Sequence, residues 1–153
     1  MIGLAATLFL AIFGALGWAA MLRRRVREAT EVIRTTLEST ADGILVTDSR
    51  SKIVACNRKL EEMWRIPSEV LRTGDSQRVV DSVVSQLKDP EQFLSRMQRD
   101  FANSPVISDD VVEFKDDRVF ERHSEPQILL GKSIGRVWSF HDITERRESE
   151  RCV

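Results

Sequence analysis

Two cysteines, two histidines and two acidic pairs stand out as side chains whose types could do chemistry. Cys56 and Cys152 are too few and too far apart for a disulfide framework or a zinc ligand set, and two unpaired thiols suit a reducing compartment. His141-Asp142-Ile143-Thr144 has the residue order of a phosphoacceptor box. Such a box needs its His exposed on a long helix and a nucleotide-binding domain to phosphorylate it. His141 instead ends an extended run, and the sequence has no glycine-rich phosphate loop. Asp109-Asp110 and Asp116-Asp117 fall at strand ends, where solvated turns account for them. No Ser or Cys stands with a placed base, and no carboxylates have metal-ligand spacing. The expectation is a chain with no catalytic residue and no metal site, not an enzyme. Asp142, Ile143, Thr144 and Glu145 offer conformational chemistry instead. They match a capping box in which Asp142 accepts from the first helical turn and Glu145 reaches back, with a charged helical tail over 146–151.

These residues need elements to hold them. The 153 residues carry 23 Lys and Arg against 24 Asp and Glu, a net charge of −1, so nothing points to nucleic acid. None of that charge lies between Met1 and Leu22. At about 1.5 Å per residue the uncharged run 2–22 matches a hydrocarbon core of roughly 30 Å. Arg23, Arg24, Arg25 and Arg27 follow at once. A cleaved signal peptide carries its positive cluster before the apolar run. Here the cluster comes after, which predicts one membrane span, N-terminus out, with the rest in the cytoplasm. Ala11, Ala15 and Ala19 suit helix pairing no better than lipid contact. The remainder is long enough for one domain.

Residues 23–40 lack Gly and Pro, and Val26, Ala29, Ile33 and Leu37 form a narrow apolar seam suited to a partner helix. Asp42-Gly43 stops this helix, with Gly43 free to take a left-handed cap. Runs 44–47 and 52–56 predict a hairpin around the polar turn 48–51. Asn57 caps the next helix, which is lined by Leu60, Met63 and Trp64 and ended by Ile66-Pro67. Val79, Val80, Val83, Val84 and Leu87 are strand-like by type but helical by period, so a helix is predicted over 76–87. Asp89 caps another, with Pro90 at its first position and Phe93, Leu94, Met97 and Phe101 along one face. Three extended runs follow at 110–115, 118–126 and 132–141. In the last, Val137, Ser139 and His141 share one face and Trp138 and Phe140 the other. Alternation alone does not choose which face meets the helices.

The stretches LESTADGILVTDSRSKIVACNRKLEEMW, FERHSEP and, above all, GRVWSFHDITERR resemble a PAS domain, a small sensor module of bacterial membrane signalling proteins, over residues 37–147. The Asp-Ile-Thr-Glu-Arg string is its most specific part, and Asn57 supports it. The resemblance implies an α+β fold, a five-stranded antiparallel sheet with helices on one face, here preceded by one transmembrane helix. It also implies a pocket between sheet and helices and a signal passed through the exit helix, which makes Asp142, Ile143, Thr144 and Glu145 signal-coupling residues. The organisation expected is a transmembrane helix (1–22), a juxtamembrane signalling helix (23–40), a PAS domain (41–145) and the start of an exit helix (146–153), in the inner membrane. The family continues into a kinase, cyclase or other effector, whereas this sequence stops at Val153. Its expected partners are therefore the bilayer, a second copy bound through the juxtamembrane helix, and a histidine kinase or other signalling protein. The rival readings are an amino-terminal piece of a histidine kinase or diguanylate cyclase, and a ligand-free dimerisation scaffold.

The resemblance also bears on cofactors. Flavin-adduct relatives place a reactive Cys directly after Asn and before Arg on a helix. Here the order is Cys56-Asn57-Arg58 and the Cys ends a strand, so a small core residue is expected. Haem-binding relatives use an axial His from a helix over the pocket, whereas His123 and His141 fall in strands. The cofactor or ligand is unknown, an apolar or amphipathic molecule suiting such pockets. Asp117 stands where the hairpin between the third and fourth strands usually has Gly, which predicts a different turn geometry there.

Overall fold

A computed structural model describes residues 16–25, 28, 31, 32, 34–102 and 105–152. The chain divides into two compact units, Met1–Thr36 and Leu37–Val153. In the first, the described residues are helical, and Arg24 meets Glu28 at 2.8 Å while Arg34 meets Glu31 at 3.3 Å, the spacings a helix face provides. Most of the expected membrane span, including Ala11 and Ala15, lies outside the described residues, as do Val26, Ala29 and Ile33 of the expected seam. Among the described residues no helix is long and apolar enough to cross a membrane.

The second unit runs β1 (Gly43–Asp48), β2 (Ile53–Cys56), α1 (Arg58–Trp64), α2 (Ser68–Arg72), α3 (Ser76–Val84), α4 (Pro90–Ala102), β3 (Ser108–Glu113), β4 (Val119–Leu129), β5 (Lys132–Asp142) and α5 (Thr144–Arg151). Its strands form one antiparallel sheet in the order β2-β1-β5-β4-β3, so the last strand is central and lies beside the first. The expected α+β architecture is present. The one-turn helix α2 is an addition, too short for a periodic pattern to announce.

Register sets the core. Trp138 faces Leu45 and Ser124 across its neighbours, and Phe140 faces Gly43 and Arg122. Both aromatic residues are buried, so theirs is the face that meets the helices, and Ser139 and His141 point the other way. Trp64, from the end of α1, is the hub of the core, with its ring 4.9 Å from that of Phe140 and 5.0 Å from that of Phe114. Such edge-on contacts add about 0.5–1.5 kcal/mol each beyond burial.

Two glycine-related expectations are corrected. Gly43 is not a left-handed cap but the first residue of β1, and among the described glycines only Gly74 and Gly131 have positive φ. Its smallness matters for packing: a Cβ there would stand 3.1 Å from Leu60 Cα and 3.2 Å from Met63 Sδ. Asp117 does not change the turn geometry but adopts the left-handed conformation itself, at φ 68°. The loop has three residues between Phe114 and Arg118, closed by Phe114 N–H to Arg118 O and Asp117 N–H to Phe114 O. That is a turn with one left-handed position, which Asp tolerates better than most side chains. The β1–β2 turn likewise works without Gly, because Ser51 takes φ 64° and Asp48 Oδ1 accepts from the N–H groups of Arg50 (2.8 Å) and Lys52 (3.0 Å).

Candidate functional site

Between the sheet and α1, α3 and α4 lies a cavity of about 50 Å³, walled by Trp64, Val83, Met97, Phe101, Trp138 and Arg122 among others. A single water needs roughly 10–15 Å³ on this measure, so the cavity admits several heavy atoms. Its walls are set by pattern: α3 and α4 turn their helical stripes inward, while β1 supplies Leu45 and Thr47, β5 supplies Trp138 and Phe140, and β4 adds Arg122.

That alternation also brings two arginines inside. Arg122 follows Phe120 by two positions and Arg136 precedes Trp138 by two, so both share the face of the aromatic core and are nearly fully buried. Asp110 receives Arg122 Nε and Nη2 at 2.7 Å each, and Asp100 lies 3.3 Å from Nη2. Arg96 adds a 3.0 Å contact to Asp110, and Ser108 Oγ donates to Asp100 at 2.8 Å. Arg136 donates from Nε to Ser124 Oγ at 2.5 Å and from Nη2 to Val106 O. Burial pulls the Arg136 guanidinium below its ordinary value, Asp100 opposing and Arg122 adding to the shift. Breaking such a buried pair on one side costs about 3–5 kcal/mol. Asp110 is therefore not the solvated turn residue expected; only Asp109 of that pair faces solvent. The arginines went unnoticed in the sequence, although their phase with Phe120 and Trp138 was the available signal.

Three of the four expected coupling residues come together. Asp142 Oδ1 accepts from the Thr144 N–H at 2.9 Å and from its hydroxyl at 2.5 Å. Thr144 Oγ1 accepts from the Val119 N–H at 3.1 Å, and the Ile143 N–H donates to Val119 O at 2.9 Å. Ile143 is buried. The start of α5 is thus clamped to the start of β4. Glu145 stays apart: it is exposed, and among the described residues its carboxylate makes no return bond to Asp142, so only the Asp142 half of the capping box forms.

The entry to the domain converges on Asn57, which caps α1 as expected and does more. Its Oδ1 accepts from Leu60 N–H (3.1 Å) and Ile44 N–H (2.8 Å), while its Nδ2 donates to Leu37 O (2.9 Å) and Asp42 O (2.8 Å). Glu38 Oε2 accepts from the Arg58 N–H at 3.0 Å. The segment before β1 is therefore tied to the α1 N-terminus.

Both histidines lie on the outer face of the sheet beside carboxylates, His123 at 2.5 Å from Asp109 and His141 at 2.6 Å from Asp42. Cys56 packs against the core, and burial, helped by the Glu61 and Glu38 charges, pushes its thiol pKa up.

A profile of the PAS fold matches residues 37–151, and the chain belongs to the PAS family. No curated protein matches. Among solved structures, the chain resembles the PAS domain of Bordetella pertussis BvgS, with 21% identity and a TM-score of 0.57 over 81% of this chain and 93% of that one. The PAS domain of an HTR-like protein from Haloarcula marismortui gives 19% identity and a TM-score of 0.56 over 81% of this chain and 99% of that one. The sensor region of a sensor histidine kinase gives 13% and 0.53, covering 69% of this chain and 40% of that one. At such identities the likeness concerns the fold.

Proposed function

We propose that this chain is a membrane-anchored, cytoplasmic PAS sensor that takes a small ligand into the cavity and passes the resulting change through its flanking helices to a histidine kinase or other signalling partner. The observation that carries the reading is the shared wall: β5 contributes Trp138 to the cavity and ends at Asp142, where α5 is clamped. A ligand that moves β5 acts on the exit helix directly. The anchor rests on the uncharged run 2–22 and the arginines after it. Exposed Leu16, Trp18, Met21 and Leu22 at the end of that run are consistent with lipid contact. A cytoplasmic-type reporter fused after Val153 should be active and a periplasmic-type one inactive; the reverse sinks the orientation. Pairing through residues 23–40 is tested by Ile33→Glu in analytical ultracentrifugation, where an unchanged dimer fraction removes the seam as interface.

A second reading has one observation in its favour: the chain spans two fifths of the histidine kinase sensor region it resembles, as a piece of a larger sensor would. An immunoblot of native membranes separates the two, because a parent enzyme runs far above 17.5 kDa.

A further inference from the structure

The β4–β5 hairpin displays what a folded domain normally hides. Seven large aliphatic side chains are exposed among the described residues of the second unit, and six of them gather toward one end of the sheet. Ile128, Leu129, Leu130 and Ile134 belong to the hairpin tip, and Val106 and Ile107 lead into β3 beside it, with Val106 O accepting from Arg136 Nη2 near the start of β5. Leu129 pairs with Lys132, so Leu130-Gly131 is a two-residue turn with φ 50° and 77°. Such turns favour Asn-Gly, and a bulky side chain at positive φ is strained. Leu130 is also 95% exposed, so its side chain gains the domain no packing. Single exposed aliphatic residues are ordinary, whereas a cluster of them marks a binding surface.

Composition, extent and charge choose the occupant. The exposed apolar residues of the tip are Ile and Leu alone, whereas the centres of protein interfaces are rich in Trp, Tyr, Phe, Met and Arg. Six side chains also fall well short of the roughly 20–30 residues a side that a stable protein pair needs. The charges around the tip are basic. Lys132 flanks the turn, and Arg50 stands in the β1–β2 turn, whose Ser49 and Ser51 share a crevice with Ser133. Neither cation has an ion-pair partner among the described residues, while Asp48 of that turn accepts from the N–H groups of Arg50 and Lys52, and Asp100 in the same crevice is held by Ser108 and Arg122. An aliphatic tip with unpaired cations beside it matches a bilayer carrying anionic headgroups, where apolar burial and charge attraction act together.

We propose that the β4–β5 tip is a second membrane contact, dipping Ile128, Leu129 and Leu130 into the surface of an anionic bilayer with Lys132 and Arg50 at the headgroups. The proposal goes beyond the sensor reading above and uses only its anchor, as a tether. A helix over 23–40 would span about 27 Å, and β5 spans about 33 Å, so the tip is far enough along the sheet to reach back to the surface.

The test uses the full chain, methyl-labelled at Ile, Leu and Val, in nanodiscs of phosphatidylcholine with one part in four phosphatidylserine. Doxyl-labelled lipid broadens the resonances of methyls that touch the bilayer, and a water-soluble gadolinium chelate broadens those that face solvent. Lipid should broaden Ile128, Leu129 and Leu130 at least about fivefold more than the comparably exposed Val54, and omitting phosphatidylserine should weaken the effect. Asn tolerates the left-handed turn, so Leu130→Asn should leave Tm unchanged or raised while the lipid broadening of the tip falls at least about fivefold. Unchanged broadening in that variant overturns the proposal. So does gadolinium broadening at the tip equal to that at Val54 while lipid broadens Leu16 and Leu22, a result that leaves the anchor standing. Protection of the tip from both agents, the mark of a covering protein or a second copy, overturns it too. Lipid broadening at the tip but not at Leu16 and Leu22 upholds the tip and sinks the anchor.

Discussion

Asp42 Oδ1 accepts a hydrogen bond from His141 Nδ1 at 2.6 Å, joining residues 99 positions apart in sequence. Asp42 immediately precedes β1 and His141 is the penultimate residue of β5, so this contact links the way into the domain to the way out. The pairing of Gly43 with Phe140 makes that closeness unavoidable, since strands in register bring their ends together. Asn57 then holds the carbonyl of Asp42 from the other side. Entry segment, first strand, last strand and exit helix therefore meet at one corner of the sheet.

The Asp42–His141 contact should behave as one unit. Asp42→Asn and His141→Gln together should destabilise less than the sum of the single changes, with a coupling of about 0.2–1 kcal/mol for so exposed a pair. Urea unfolding of the four proteins in the double-mutant cycle measures it, and strict additivity would show that the contact contributes nothing.

Asn57→Ala should be the more damaging change. It removes partners from two N–H groups and two carbonyl oxygens at a fully buried side chain, a loss on the order of 3 kcal/mol. Thermal unfolding reports the total. Faster hydrogen exchange at Ile44 and Leu60, the two deprived donors, locates it.

Asp142→Ala should cost about 0.5–2 kcal/mol locally. Hydrogen exchange should quicken from Ile143 through α5 while the Trp64 core keeps its protection. Uniform loosening of the whole domain would instead make Asp142 an ordinary stability residue, and the coupling role would go.

Acid should loosen the β3–β4 loop. A hydrogen bond and charge from Lys88 hold the Asp117 carboxyl below its usual range; for Asp116, slight burial pushes upward but the Arg118 hydrogen bonds and charge outweigh it. Both folded pKa values lie below the unfolded value of about 3.9. Their stabilisation is present above that pH and lost as pH falls through the folded values. Lys88→Met should therefore flatten the dependence of Tm on pH between about pH 2 and 4, most visibly at low salt. An unchanged slope would remove Lys88 from the acid response.

The two thiols should part company. Cys56 is held protonated by burial and by Glu61 and Glu38, whereas Cys152 is exposed. With a disulfide reagent at pH 8 Cys56 should react at least about tenfold more slowly in the folded chain, and denaturant should equalise them. Equal rates without denaturant would contradict the burial argument.

Much of this was legible along the chain. Caps and turns act over three or four residues, so Asn57 and Asp89 announced their helices, and Gln92 N–H does donate to Asp89 Oδ1 at 2.9 Å. The period of Val79, Val80 and Val83 overrode their strand-like types because one face of α3 had to be buried. Gly43 and Asp117 were misjudged for a different reason. A glycine can serve backbone freedom or close packing, and an Asp can occupy a left-handed turn when Lys88 holds it; neither choice is visible until Leu60, Met63 and Lys88 arrive from other elements.

By itself the sequence determined the order and type of the main elements, the alternation that pairs Trp138 with Phe140 on one face, and the motif after β5, because each rests on near-neighbour chemistry. Only the tertiary structure decided that this face turns inward, that Arg122 and Arg136 go in with it, that Asp110 and Asp100 meet Arg122 from β3 and α4, and that Ser124 Oγ and Val106 O receive Arg136. A buried charge persists only where partners from distant segments are brought to hydrogen-bonding distance. Sheet order and register set that distance, and no local pattern states it.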